Sequence, residues 1–335
     1  MRLSNKLAVW LLLLSPLAIA AAFFSSVWFG SKSIGPDTVW DAIMRFDPDN
    51  VQHQIVQHSR IPRAIGGLLI GAFLAVSGAL MQGMTRNYLA SPSIMGVSDG
   101  SAFAITLCTV FLPGGASSME MIVFSLIGSA LAVALVFGLA SLLPDGLSPL
   151  RMAIIGTIIG TFLSSMSAAV ASYFQVSQTI SFWYNARLHQ MDPDMIRLAI
   201  PFAVVGLALA LLLSKSITVL ALGEDVAMSL GQRTLLVKAG ATTAVILLTG
   251  ISVALAGKIG FVGLIIPHIV RFLIGVDYRW VIPCSAVVGA VFLGFSDVAS
   301  RYMNAPFETP IGVVTAIVGV PFFLYLVRKR GGRHA

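Results

Sequence analysis

One stretch of the chain constrains its fold more than any other. Residues 64–81 read A-I-G-G-L-L-I-G-A-F-L-A-V-S-G-A-L-M and carry a single hydroxyl group, that of Ser77. As a helix rising about 1.5 Å per residue, this run covers the hydrocarbon thickness of a bilayer. Arg63 precedes it and Arg86 follows it, so charged ends bracket one long apolar run. The sequence therefore predicts a membrane-spanning helix.

Small residues are spaced one helical turn apart in this span. Gly67 lies one turn from Gly71, and Ala75 lies one turn from Gly78. Such pairs allow a neighbouring helix to approach closely. We therefore expect this helix to lie inside a bundle.

The composition extends this prediction to the whole chain. Hydrophobic residues make up 57% and charged residues 10%, against about 45–50% and 25% in ordinary soluble domains. This composition excludes an ordinary cytosolic enzyme. No linker interrupts the chain, so residues 1–335 are read as a single all-α domain with about ten membrane spans. The predicted spans are 7–30, 64–81, 93–112, 119–143, 152–174, 196–213, 234–256, 260–275, 281–299 and 309–327.

The first apolar segment has two interpretations. Arg2 and Lys6 precede it, and A-I-A at 18–20 resembles a signal-peptide cleavage site. The run nevertheless continues through Trp28 and is too long for a usual signal peptide, which favours a retained helix. With the N-terminus inside, the basic tail at 328–333 also lies on the cytoplasmic side. Both termini are therefore expected in the cytoplasm.

Several blocks of the chain carry a family resemblance. They include R-I-P-R at 60–63, R-N-Y-L-A-S-P at 86–92, G-K-I-G-F-V-G-L-I-I-P-H-I-V-R at 257–271 and E-T-P-I-G-V-V-T-A-I-V-G-V-P-F-F at 308–323. The chain resembles the FecCD-type permeases that import ferric siderophores, haem and cobalamin into bacteria. The resemblance implies the fold of cobalamin-importer permeases (type II ABC importers), with two related four-helix halves. Departures from the family pattern occur at Tyr88, Ser91, Ser101 and Pro149, and they bear on gating rather than on the family.

The resemblance also implies a set of partners. These are a second permease subunit (homo- or heterodimer), two cytoplasmic ATPase subunits and an extracytoplasmic substrate-binding protein, all working at the bacterial cell membrane. A ferric siderophore is favoured as cargo over haem or cobalamin. No cofactor is expected. Nucleic acid is not expected either, because the basic residues are scattered between apolar runs and form no basic face.

A polar interruption at about 215–232 is predicted to lie outside the membrane. Two acids, Glu224 and Asp225, follow Gly223, and Gly231 ends the amphipathic run after Leu230. From the residues alone, an ordinary loop helix explains this pattern equally well. The resemblance implies that these five residues contact the ATPase.

Two further sets of site residues come from the resemblance. It implies a cytoplasmic gate on the loop after the second span, at Asn87 and Leu89, and on the loop after the fourth, at Ser148 and Pro149. It also implies that Arg60, Arg63 and Arg301 form the external landing site for the binding protein. Arginine on the external side opposes the positive-inside tendency, although lipid phosphate is an alternative partner.

Motifs for other classes of function are absent from the sequence. There is no phosphate-cradling loop and no zinc-protease or hydrolase motif. The chain therefore uses either a separate ATPase or an ion gradient, and an ion-coupled transporter is the alternative from a different class. Asp99 and Asp297 lie within predicted spans, where a carboxylate needs an interior partner or a wet cavity. No metal site is predicted at His53, His58 or His268, because no ligand set completes one.

Overall fold

The computed structural model describes residues 2–30, 34–112, 116–143, 149–184, 188, 191–304 and 307–331. Across these residues the regular structure is helical, as the sequence predicts. A π-helical turn, Val56–Arg60, joins the third helix to the fourth. The helices are α1 (Arg2–Trp28), α2 (Pro36–Met44), α3 (Val51–Ile55), α4 (Ile61–Thr85), α5 (Val97–Phe111), α6 (Ser118–Ser141), α7 (Pro149–Tyr173), α8 (Ser177–Tyr184), α9 (Pro193–Leu212), α10 (Ser214–Leu220), α11 (Glu224–Ser229), α12 (Thr234–Ala256), α13 (Val262–Ile274), α14 (Tyr278–Tyr302) and α15 (Ile311–Gly331).

Seven helical segments in the described ranges are long and apolar enough to cross a membrane. Three shorter apolar helices accompany them, namely α5, α13 and the Ile311–Tyr325 part of α15. These ten segments coincide with the ten predicted from sequence. An all-helical, multi-pass membrane protein is thereby confirmed, whereas ten complete crossings stay a prediction.

Helices α5 and α13 begin later than the sequence predicts. Left-handed backbone at Gly96, with φ of 73°, precedes α5. Positive φ angles at Gly257 and Phe261, of 75° and 68°, delimit the irregular segment before α13. These conformations break helical hydrogen bonding, so apolar composition alone overestimated both helices. The second helix is therefore the short one in both four-helix runs that the resemblance relates to each other. The lengths are 25, 15, 24 and 25 residues in α4–α7 and 23, 13, 25 and 21 residues in α12–α15.

Helix α4 forms the centre of the bundle and packs against α12, α13 and α14. A methyl group on Gly71 would overlap the carbonyl group of Gly289, and one on Gly78 would overlap that of Gly263. Gly67, by contrast, has no neighbouring atom within 4 Å of that position. The predicted close approach therefore occurs at two of the three glycines.

The outer helices expose large apolar side chains. Leu17 of α1 is 71% exposed, Phe162 of α7 is 59% exposed and Leu212 of α9 is 78% exposed. Exposed apolar surface on this scale marks a membrane or protein interface. The outer surface of the described bundle is therefore largely apolar and suited to contact with lipid and with further subunits.

Candidate functional site

Arg63 lies at the centre of a buried ionic network at the start of α4. Its guanidinium group is 2.8 Å from the carboxylate of Asp297 on α14 and 2.8 Å from that of Glu308. Arg301, one helical turn after Asp297, pairs with the same carboxylate. We call Arg60, Arg63, Asp297, Arg301 and Glu308 the arginine cluster. It supplies the interior partner that the sequence requires for Asp297.

Two members of the arginine cluster cap the C-terminal end of α1. Arg60 donates to the carbonyl oxygens of Val27 at 2.9 Å and Trp28 at 3.0 Å. Arg301 donates to the carbonyl oxygen of Ser26 at 2.7 Å. The last carbonyl groups of a helix have no partner inside it, and cationic donors there also favour the helix dipole. The cluster therefore holds together α1, α4 and α14.

The burial of these arginines differs from the exposed landing site that the sequence analysis describes. Arg60 is 5% exposed, Arg63 is 7% and Arg301 is 4%. Arg63 and Arg301 pair with acids of the same chain. The resemblance already includes the Asp297–Arg301 pair, in S-D-V-A-S-R at 296–301, whereas the pairs of Arg63 were not predicted. Glu308 was not predicted as a partner of Arg63, although it is the first residue of the family-like block at 308–323. Its side chain, 28% exposed, connects the cluster to the surface.

The coupling segment, residues 215–232, contains a short helix as predicted. Gly223 precedes α11 with φ of 145°, and Gly231 follows it with φ of 78°, both values that disfavour other residues. Leu230 is 69% exposed. Further exposed apolar side chains are those of Leu222, Val226 and Met228. The segment thus presents an apolar surface beside the acids Glu224 and Asp225.

Glu224 ties the coupling segment to the next long helix. Lys238 of α12 donates to both of its carboxylate oxygens, at 2.6 and 2.7 Å. This hydrogen bonding holds the pKa of Glu224 below its ordinary value, because it stabilises the charged form. The pair therefore connects α11 to α12.

The loop after α4 contains the first pair of predicted gate residues. Arg86 ends the helix in a left-handed conformation, and the side chain of Asn87 accepts a hydrogen bond from the backbone N–H of Leu89 at 3.0 Å. Of the second pair, Ser148 lies outside the described residues, as does Arg333 of the basic tail. Pro149 is the first residue of α7. The structure therefore does not show the two gate loops together.

A polar node missed by the sequence analysis lies near the first gate loop. Gln82 of α4 donates to the carbonyl oxygens of Gly263 and Leu264 at 3.2 and 3.1 Å, and it accepts from Arg271. The Arg271 guanidinium group also lies 4.6 Å from the ring centroid of Tyr88. These contacts link α4, α13 and the loop that holds Asn87.

Asp99, the second acid within a predicted span, pairs with Lys258. The Lys258 ammonium group is 2.6 Å from the Asp99 carboxylate and 2.8 Å from the hydroxyl group of Ser164 on α7. It also lies 4.9 Å from the ring centroid of Tyr184. Lys258 was not predicted as a site residue, although it is the one lysine or arginine between Lys238 and Arg271. A lone charge in an apolar run was the available signal.

A groove of about 560 Å³ opens beside this ion pair. Hydroxyl groups line it on the α7 side, from Thr157, Thr161, Ser164 and Ser165. Their spacing places them along one face of the helix. An exposed row of hydroxyl groups favours contact with water or another subunit over contact with lipid tails.

The histidines take part in local contacts. His53 accepts a hydrogen bond from the backbone N–H of Asp47 at 3.1 Å, and His58 packs edge-to-face on Phe46. Among the described residues, no group of three or more histidines, cysteines and acids is arranged to hold a metal ion. Cys108 and Cys284 are buried and free.

Comparison with known proteins agrees with this architecture. The chain is 59% identical over 322 residues to the iron-uptake system permease protein FeuB of Bacillus subtilis (strain 168), covering 96% of each chain. It is 49% identical over 306 residues to the iron(3+)-hydroxamate import system permease protein FhuB of the same organism, covering 91% of this chain and 79% of that one.

A solved structure is similar over the same length. A metal-chelate type ABC transporter in an inward-facing conformation matches with a TM-score of 0.80 and 29% identity, covering 97% of this chain and 99% of that one. The model of the FecCD transport family matches residues 17–329. The chain therefore belongs to the FecCD transport family and is a transport permease.

Proposed function

We propose that this chain is the membrane-spanning subunit of an ABC importer that moves a ferric siderophore into the cytoplasm. The observation that carries the proposal is the full-length similarity to FeuB, at 59% identity over 96% of both chains. FhuB, the second relative, is named for iron(3+)-hydroxamate import. Haem and cobalamin are the alternative cargoes.

The energy source is proposed to lie on two separate ATPase subunits. The chain has no loop that cradles nucleotide phosphates. Helix α11, by contrast, offers a compact contact surface with acids beside exposed apolar side chains. We assign Gly223, Glu224, Asp225, Leu230 and Gly231 to this contact.

The substrate path is proposed to lie between two permease subunits. The hydroxyl-lined face of α7 supports this placement, because a second subunit would enclose it in a wet cavity instead of leaving it in lipid. The gate at the cytoplasmic end is assigned to Asn87, Leu89, Ser148 and Pro149. The complex then passes the chelate inward without chemical change.

The binding protein is proposed to dock over the arginine cluster. Because Arg60, Arg63 and Arg301 are buried, contact begins at the rim, where Glu308 and the 71% exposed Phe307 reach the surface. Acids of the binding protein would then compete for the guanidinium groups. This face is placed outside the cell, with both termini inside.

Uptake measurements test this function. In a strain lacking the chain, iron-loaded siderophores from a panel should accumulate only after the gene is restored, and vanadate should abolish the uptake. Haem or cobalamin uptake instead would change the cargo. Sensitivity to collapse of the ion gradient, with no response to vanadate, would replace the ABC importer by an ion-coupled transporter. A reporter fused after Arg330 should be cytoplasmic, and an external signal would contradict the topology.

A further inference from the structure

A second cavity, of about 480 Å³, lies behind the coupling segment. The end of α4 and the helices α6, α7, α10, α11 and α12 contribute to its wall. Most of the lining is apolar, with Val133, Phe137 and Leu235 among the large side chains. The cavity is distinct from the α7 groove, because the two share no lining residue.

The charged part of this lining is confined to three side chains. Arg86, Lys238 and Glu224 all border the cavity, and their summed charge is positive. Glu224 accepts two short hydrogen bonds from Lys238, so this ammonium group already has an anionic partner. The charge of Arg86 also acts on Glu224, so one acid faces two cations and a single positive charge remains for an added anion.

The position of the cavity favours a phospholipid over a free phosphate as the anion that binds there. Arg86 directly follows the membrane-spanning helix α4, and Lys238 lies in the second turn of α12. A ligand in this cavity would contact these charged side chains at one end, at the membrane edge, and apolar side chains at the other end, towards the bilayer. A free phosphate would leave those walls without a partner, whereas a phospholipid fills them with an acyl chain. Basic pockets between membrane helices bind anionic headgroups for this reason.

We propose that this cavity, the basic pocket, binds one anionic phospholipid, with Arg86 contacting the headgroup phosphate and Val133, Phe137 and Leu235 contacting an acyl chain. The neighbouring Glu224–Lys238 pair places the lipid beside the coupling segment. The proposal is independent of the cargo, because lipid binding does not require transport.

Lipid retention provides the test. The full chain is reconstituted in vesicles of equal parts phosphatidylcholine and phosphatidylglycerol, extracted gently, and examined by native mass spectrometry for bound lipid. One net positive charge near a membrane surface corresponds to about a fivefold preference for the anionic lipid. Wild type should show that preference, and Arg86→Gln should reduce it to near one.

Two further variants test whether the lipid binds in the basic pocket itself. Ala134→Trp adds bulk to the wall of the basic pocket while retaining Arg86, so it should remove the retained lipid. Lys215→Gln removes an exposed basic residue that does not line the pocket, and its preference for phosphatidylglycerol should equal that of wild type. Folding of each variant is checked by its thermal unfolding midpoint.

Four outcomes would overturn the proposal, and the last of them separates it from the proposed function. One is equal retention of the two lipids by wild type, and another is an unchanged preference in folded Arg86→Gln and Ala134→Trp. The third is displacement of phosphatidylglycerol by millimolar glycerol phosphate, which would indicate a free-phosphate site. Normal uptake with no bound lipid would reject this inference and leave the proposed function intact.

Discussion

Arg63 and Asp297, 234 residues apart in the chain, meet at the centre of the arginine cluster with 2.9 Å between Nε and Oδ1. Asp297 is also the partner of Arg301. One carboxylate therefore faces two buried guanidinium groups. This sharing makes Asp297 the most sensitive position of the cluster.

Replacing Asp297 with asparagine should strongly destabilise the protein. The change leaves Arg63 and Arg301 buried with one fewer acid, and breaking a buried pair costs about 3–5 kcal/mol. Thermal unfolding in detergent measures the effect. Asp194→Asn is the matched control, because its pair with Arg197 is exposed and contributes only about 0–1 kcal/mol. Similar midpoints for the two variants would refute the network's role.

Charge reversal at Arg60 together with Arg63 should lower the affinity for the loaded binding protein, most clearly at low ionic strength. Electrostatic docking is screened by salt, and acid-to-lysine changes on the binding protein should partly restore it. Because both arginines are buried, binding is measured only on material shown to be folded, and Arg60→Gln serves as a milder variant. Arg197→Glu, at an exposed site, is the control. Unchanged affinity at low salt would exclude these residues from docking.

Glu224→Arg should weaken association with the ATPase subunits while membrane insertion stays normal. The substitution breaks the pair with Lys238 and reverses a charge on the proposed contact surface. Co-purification of the ATPase and transport-linked ATP hydrolysis measure the effect. Ser229→Arg, at the other end of α11, controls for added positive charge. Normal ATP hydrolysis in the Glu224 variant would contradict the assignment.

The same pair predicts a pH dependence of stability. The pKa of Glu224 is lowered in the folded protein, so its contribution is present above the ordinary carboxyl pKa. It is lost as pH falls through the lowered value. The stability difference between wild type and Glu224→Gln should therefore be seen at pH 7 and shrink in acid. It should be small, because the carboxylate is 36% exposed. A difference that grows as the pH falls would contradict the sign.

Removing one member of the Asp99–Lys258 pair should be more harmful than removing both. Lys258→Met leaves a carboxylate at membrane depth, whereas Asp99→Asn with Lys258→Met leaves no net charge. A double-mutant cycle on thermal unfolding should give a coupling of about 0.5–3 kcal/mol. Additive effects would show that the two side chains do not interact.

Gly78→Ala should destabilise the bundle by about 1–3 kcal/mol, the usual cost of overpacking. The added methyl group would overlap the backbone of Gly263. Gly67→Ala is the matched control in the same helix, because it meets open space and alanine favours helix by up to about 1 kcal/mol. Equal destabilisation of both variants, measured by thermal unfolding, would contradict the close packing of α4 on α13.

The sequence alone predicts a helical membrane protein, because an apolar run of about 20 residues crosses a bilayer as a helix that satisfies its own backbone hydrogen bonds. It also determined the family, through motifs spread from Arg60 to Phe323. The short helix at Glu224 followed from local signals, since glycines and acids act within a few residues of their own position.

The pairing of the buried charges is visible only in the folded bundle. Asp297 pairs with Arg63 from a distant helix, and Asp99 pairs with Lys258, because burial forces each charge to find a partner wherever the packing provides one. The same packing buries three arginines that were expected at an exposed surface, and two of them, Arg60 and Arg301, also cap α1. Sequence spacing does not encode such pairings, because they depend on helix contacts between residues more than 150 positions apart.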